Sequence, residues 1–207
     1  MQANGDRPDL HDKIVYKVYN NEVLLIPIMI LQTKRLIIRP VTMDDKHAVF
    51  KYRSDSETNK YQEWIPETIK DVEEFIGKIS KQIDLPETWF QFVIIKKETK
   101  EIIGDSGIYF SDKDNKQVEL GCTLDRHHQK KGYAAEALVK LINYIFHELN
   151  KHRITASIDP DNINSIRLFE RIGFRKEAHF IESLLINGKW ADNLIYALLK
   201  KEWNSKT

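Results

Sequence analysis

Apolar residues recur along this chain with two different periods, and the changes of period divide it into elements. RLIIRPV, from Arg35, has the composition of a strand. Thr42 and Asp45 are then spaced as in a capping box, ahead of a helix holding Ala48, Val49 and Tyr52. A second such pair, Thr68 and Asp71, opens DVEEFIGKISKQI, where Val72, Phe75, Ile76, Ile79 and Ile83 fall on one helical face. The loop YQEWIP lies between the two helices. WFQFVIIK, IIGDSGIYF and QVELGCTL follow as strands, with KKETKE and SDKDNK as turns, which predicts an antiparallel meander. From Gly132 to about His147 the period is helical. Ala134, Leu138, Leu141, Ile142 and Ile145 line one face, and Glu136, Lys140, Asn143 and His147 the other. RITASI is a strand, and NSIRLFERI is a short helix that Gly173 ends as a left-handed cap. AHFIESLLI and WADNLIYALL are two last strands around the turn Asn187-Gly188-Lys189.

Residues 1–30 lack this rhythm. MQANGDRPDLHDK is polar and aperiodic, and YKVYNNEVLL offers only a hairpin around Asn20-Asn21. The expectation is a weakly structured N-terminal extension over 1–30, with Met29 a candidate internal start, and a single domain over 31–207. The run Val23 to Leu31 is too short to span a bilayer and is interrupted by Pro27. No basic n-region or small-residue cleavage site marks a signal peptide, so neither a membrane association nor export is expected, and the protein is placed in the cytoplasm.

Composition adds bounds. Of the 207 residues 42% are hydrophobic and 30% charged, a balance that can bury a core. The 32 basic and 31 acidic side chains leave a formal charge of +1, so no overall field argues for a nucleic-acid partner and any anion recognition must be local. The lone cysteine, Cys122, excludes an intrachain disulfide and lies in an apolar run, which suits a small core residue better than a nucleophile. His127 and His128 are adjacent, a spacing that does not converge on one ion, and no metal site is expected.

One stretch departs from this ordinary picture. In RHHQKKGYAAEAL, residues 126–138, basic and imidazole groups lead into Gly132 and small residues just where a helix begins. A helix start exposes free N–H groups and the positive end of the dipole, and a glycine lets a ligand approach the backbone. The segment can therefore hold a phosphate-bearing ligand, and its local chemistry fits a solvated basic loop equally well. No G-x-G-x-x-G follows a strand, and no G-x-x-x-x-G-K-[ST] occurs. Gln129-Lys130-Lys131-Gly132-Tyr133-Ala134 does match Q/R-x-x-G-x-G/A between a strand and a long helix, and this resembles the pyrophosphate-binding motif of the GNAT superfamily of N-acetyltransferases. The resemblance runs from Leu36 to Trp203, with Ala134 as an allowed variant of the last glycine. FIESLLINGKWADNLIYALLKKEW is similar to the C-terminal hairpin of the branch that includes the ribosomal-protein N-terminal (alanine) acetyltransferases.

The resemblance implies an α/β (α+β) GNAT acyltransferase fold: a mixed, mostly antiparallel sheet of about seven strands, splayed between the fourth and fifth, with about four helices. It implies acetyl-CoA as co-substrate and an amine as acceptor. The backbone from Gln129 through Lys130, Lys131, Gly132 and Tyr133 to Ala134 would cradle the pyrophosphate. Backbone near Thr123 and Leu124 would bond pantetheine or polarise the thioester. Glu119, on the fourth strand with Gly121 and Thr123 on its face, is the first candidate for the base that deprotonates the amine, and an acceptor contact; an ordinary half-exposed strand glutamate is the other reading. His128 is a weaker candidate, nearer the phosphate end. Asn162 and Ser165 match the family's N-x-x-S. The resemblance gives Asn162 the pantetheine amides and Ser165 the departing thiolate, while both residue types also cap helices. Tyr196 is an outside candidate for the acid, suited also to the core of the last strand. Tyr61, Trp64 and Pro66, with Trp89 and Phe90, would wall the acceptor site, or else form a small satellite core. Glu57, Glu63 and Glu67 are too scattered to demand a polycationic acceptor.

The leading function is thus acetyl transfer from acetyl-CoA to a primary amine, on a protein N-terminus or a small molecule. The alternative is a CoA-binding module of the same fold without turnover. A nucleic-acid-binding protein is disfavoured by the neutral charge and the lack of a basic stripe. Either a monomer or a homodimer is compatible with the sequence.

Overall fold

A computed structural model describes residues 17–19, 22–24, 29–186 and 188–205 of the chain. Both capping pairs form in it. The Asp45 carboxylate accepts from the Thr42 N–H at 2.8 Å, opening a 3-10 turn, Met43–Asp45, that leads into α1, Lys46–Arg53. A single turn, α2 (Ser56–Asn59), follows under an Asp55 cap. Asp71 accepts from the Thr68 N–H at 2.8 Å and opens α3, Ile69–Lys78. The predicted helical face ran on to Ile83, but the backbone turns extended at Ile79 (φ −70, ψ 140). Ile83 packs on the core from beyond the helix end.

Two short strands, β1 (Lys17–Tyr19) and β2 (Glu22–Leu24), pair antiparallel as the Asn20-Asn21 hairpin predicts; those two residues lie outside the described ones. The main sheet contains β3 (Leu31–Gln32), β4 (Leu36–Pro40), β5 (Trp89–Lys96), β6 (Ile102–Phe110), β7 (Gln117–Leu124), β8 (Arg153–Ile158), β9 (Arg175–Ile186) and β10 (Lys189–Leu199). Its order is β3-β4-β5-β6-β7-β8-β10-β9, antiparallel except where β7 meets β8. The sheet has eight strands where about seven were expected, because the two residues of β3 are too few to show a period. Helices α4 (Tyr133–Asn143, prolonged by a π turn, Tyr144–Glu148) and α5 (Ile163–Ile172) fall as predicted. Gly173 closes α5 at φ +118. Six helices form among the described residues instead of about four; α2 and α6 (Lys200–Asn204) are single turns without a readable 3.6 pattern. No described helix is long and apolar enough to cross a membrane.

The sheet is covered on both faces. Phe92, Ile94, Ile108 and Leu120 pack with Leu138, Leu141 and Phe169 of α4 and α5. On the other face Val93 and Ile95 pack with Val49, Tyr52, Val72 and Ile76 of α1 and α3. Strand register carries this second face on to Trp89 and Gln91 of β5, Asp105, Gly107 and Tyr109 of β6, and Glu119, Gly121 and Thr123 of β7.

Candidate active site

The sheet parts in its middle. β7 and β8 pair at Gln117↔Arg153, Val118↔Ile154 and Glu119↔Thr155, and no pairing continues beyond. Both strands run on, β7 to Leu124 and β8 to Ile158, so a cleft of about 360 Å³ opens between them. The backbone beside it can be assigned by alternation. The Asp125 N–H bonds the Ile103 carbonyl of β6, and the Gly121 carbonyl accepts from Ser106 of β6 at 2.6 Å. Odd-numbered residues of β7 therefore turn their polar groups to β6, and Leu120, Cys122 and Leu124 turn theirs to the gap. This corrects one expectation: the Thr123 backbone faces β6, while its side chain lines the cleft. The Leu124 carbonyl is taken by the Gln129 Nε2 at 2.9 Å, which ties the next loop to the strand end.

That loop is shaped for anions. A 3-10 turn, Arg126–His128, is capped by Asp125, whose carboxylate accepts from the His127 N–H at 2.9 Å. Lys130 and Gly132 adopt left-handed backbone, φ +59 and +80. Gly132 is the N-cap of α4, so the first N–H groups of that helix, at Tyr133, Ala134 and Ala135, have no intrahelical partner. Successive N–H groups in such turns form a concave anion cradle at the positive helix end. Lys130 and Lys131 are exposed beside it. Arg35 braces it from beneath: its Nη1 donates to the Lys131 carbonyl at 3.0 Å, it covers the Tyr133 ring at 4.4 Å, and it pairs with Glu136 at 2.6 Å. His128 stands by this loop, 3.5 Å from Glu101, and does not line the cleft.

Glu119 is half-buried at the fork, where pairing stops. Burial raises its carboxyl above the usual range, and the charge of Glu63 across the cleft raises it further. Of the three scattered glutamates only Glu63 lines the cleft. On the opposite wall the Asn162 Oδ1 accepts from the Ser165 N–H at 3.1 Å, so Asn162 caps α5. Ser165 lines the cleft, as do Tyr61, Trp64 and Trp89. Tyr61 donates to the Asp161 carbonyl at 3.0 Å and bridges the two lips. Trp64 stacks on Phe75 at 4.5 Å, and Trp89 on Tyr109 at 5.1 Å. Pro66 and Phe90 are not part of the lining; Phe90 belongs to the core on the other face. Tyr196 is a core residue whose hydroxyl donates to Glu170 at 3.0 Å. Cys122 keeps some surface exposed, but burial of the thiol and the nearby Asp105 charge push it up to about 12, which removes it as a nucleophile.

Beneath the cleft lies a network that the sequence reading missed. Asp105 accepts from Tyr52, from Arg53 Nε and Nη2, and from Gln91. A charged residue inside the apolar strand IIGDSGIYF is the signal that could have found it.

Known proteins bear on this arrangement. The family described as "Acetyltransferase (GNAT) domain" matches residues 35–175. An uncharacterized N-acetyltransferase, p20, of Bacillus licheniformis is 36% identical over 174 residues, which is 84% of this chain and 97% of that protein. The [ribosomal protein uS5]-alanine N-acetyltransferase of Escherichia coli (strain K12) is 35% identical over 117 residues, 55% of this chain and 59% of that one. The crystal structure of a GNAT-family acetyltransferase from Bacillus anthracis superposes with a TM-score of 0.75 at 30% identity, covering 84% of this chain and all of that one.

Proposed function

This chain belongs to the GNAT acetyltransferase family and is an acetyltransferase, and from that premise we propose that it transfers an acetyl group from acetyl-CoA to a primary amine by direct attack on the thioester. One observation carries this reading: the sheet opens just past Glu119, which leaves strand backbone, a half-buried carboxylate and the start of α5 around one space.

In this reading the N–H groups from Lys130 to Ala134 hold the pyrophosphate. Gln129 fixes the loop to β7. The pantetheine arm lies along the free edge of β7, against the backbone of Cys122 and Leu124. An N–H of that edge polarises the thioester carbonyl. Asn162 orders the start of α5 through its cap and so aims Ser165 into the cleft.

The chemistry requires an unprotonated amine. Glu119 takes the proton of the incoming ammonium, directly or through water; its raised pKa brings it closer to neutrality, where a base works best. The amine nitrogen bonds to the carbonyl carbon, the C–S bond breaks, and the thiolate takes a proton from Ser165; the second proton that the nitrogen sheds on becoming an amide returns through water to Ser165. Tyr61 and Trp64 wall the acceptor side. A protein N-terminus, as the ribosomal-protein relative's name describes, and a small-molecule amine are both within this chemistry.

The test is free-thiol release from acetyl-CoA by the purified protein across a panel of primary amines, with product mass as confirmation. Thiol release that depends on the amine supports the proposal. Coenzyme binding with no release from any amine assigns the chain to the CoA-binding module instead.

A further inference from the structure

The acceptor face of the cleft holds oxygen atoms that have no partner among the described residues. Thr123 is 6% exposed, lines the cleft, and its hydroxyl makes no hydrogen bond among the described residues. Gln91 is equally buried at 6%. Its Nε2 donates to Asp105 at 2.9 Å, which turns its Oε1 over Gly107, where an added Cβ would lie 2.7 Å from that oxygen. Oε1 accepts nothing among the described residues, and Glu119 has no cationic partner among them either.

Register gathers these groups around one glycine. Gln91, Gly107 and Gly121 form a single row across β5, β6 and β7. Glu119 and Thr123 flank Gly121 on the same face, each about 7 Å away along the strand. Gly121 is open: a Cβ added there meets nothing within 4 Å. Gly121 is therefore a bare floor edged by hydrogen-bond acceptors, while Gln91 and Trp89 cover Gly107 beside it.

The charge of the cleft points the same way. Among the described residues five carboxylates line it against one guanidinium, Arg53, which Asp105 already matches. Asp192 is taken by His179 and the Glu182 N–H, and Asp159 by the Asp161 N–H. Glu63 and Glu119 are left without partners among the described residues.

We propose that the space over Gly121 seats the acceptor's ammonium, with Glu119, Gln91 Oε1 and Thr123 Oγ1 as its three acceptors, and that the acceptor is an aliphatic primary amine carrying a second positive charge for Glu63. An ammonium has three donors and no acceptor, which fits a ring of oxygens. The face of Trp89 left free by its stack on Tyr109 covers the connecting methylenes. Acetylation removes one of the two charges, so the product is held less tightly than the substrate. The inference rests on the transfer reading only for the direction from which the thioester is approached.

The experiment is calorimetry on the coenzyme-A-loaded protein, with 1,5-diaminopentane, n-pentylamine and a short peptide bearing a free N-terminus as probes. The diamine binds about tenfold or more tighter than the monoamine, and Glu63→Gln abolishes that difference. Thr123→Val weakens the diamine about fivefold. Gly121→Val places its Cβ where nothing among the described residues lies within 4 Å, so it removes diamine binding and leaves acetyl-CoA affinity unchanged. Equal affinity for diamine and monoamine overturns the proposal. So does a Gly121→Val protein that keeps diamine binding, or that loses acetyl-CoA binding instead. The two readings fail separately. Diamine binding as described without thiol release from any amine sinks the transfer reading and leaves the seat. Thiol release on the peptide without diamine binding sinks the seat alone.

Discussion

Asp105→Asn isolates the buried network under the cleft. Asp105 is 1% exposed and Arg53 8%. The carboxylate takes the Tyr52 hydroxyl at 2.5 Å, Arg53 Nε at 2.8 Å and Nη2 at 2.5 Å, and Gln91 Nε2 at 2.9 Å. Burial first, and the Asp105 charge second, push the Tyr52 phenol well above its ordinary range, so it remains a neutral donor. Asparagine keeps one acceptor oxygen and loses the charge. The guanidinium cannot shed its proton, so a buried cation is left uncompensated. Breaking a buried pair in this way costs about 3–5 kcal/mol. At about 2–4 °C per kcal/mol for a domain of this size, Tm falls by about 6–20 °C. Urea unfolding at pH 7 gives the free energy directly, with an unchanged m-value as the sign that the native state is intact. The double variant Arg53→Met with Asp105→Leu removes both charges and returns part of the loss, because the Tyr52 hydroxyl and the Gln91 amide then lose their acceptor. A loss below about 1 kcal/mol for Asp105→Asn would place the pair with ordinary exposed ion pairs and refute the argument.

Glu119→Gln lowers turnover by about 100-fold or more at neutral pH, and raising the pH partly restores it by deprotonating the amine in solution; full activity across the range would remove Glu119 from the chemistry. The same change acts on stability in the opposite sense. The folded-state pKa of Glu119 is raised, so its contribution to stability is present below the ordinary carboxylate pKa and is lost as pH rises through the folded value. At pH 7 Glu119→Gln therefore has a Tm at or above that of the parent, and the difference vanishes in acid; a lower Tm at pH 7 contradicts the burial argument. Ser165→Ala lowers turnover without rescue at high pH, because its task is the leaving thiolate; a pH rescue like that of Glu119→Gln would reassign it. Gly132→Val weakens acetyl-CoA by about tenfold by calorimetry. It also costs about 1–2 kcal/mol of stability, because φ is +80 there; unchanged affinity would move the phosphate site elsewhere.

Much of this protein follows from local sequence. Thr42 with Asp45 and Thr68 with Asp71 mark helix starts because a cap is made within one turn. Gly173 marks a helix end because only its own φ is involved, and the long strands declare themselves by their apolar content. The anion loop is legible for the same reason, since Gln129 to Ala134 supply backbone donors in sequence order. The single turns α2 and α6, and the two-residue β3, are too short to carry a period and are held in place by what they pack against. The site's remaining chemistry depends on pairings that local sequence does not encode. Glu63 and Glu119 become neighbours only when the loop after α2 folds over β7, and it is a place on the cleft wall that separates Glu63 from Glu57 and Glu67. Asp105 meets Arg53 and Gln91 across three elements. Gly107 and Gly121 line up only through strand register. Thr123 shows the division within one residue: sequence puts it on the strand that borders the cleft, but the pairing of β7 with β6 turns its backbone inward and leaves its hydroxyl to the cleft. Alternation along a strand is a local property; which side of that alternation faces a ligand depends on which neighbour the strand has lost.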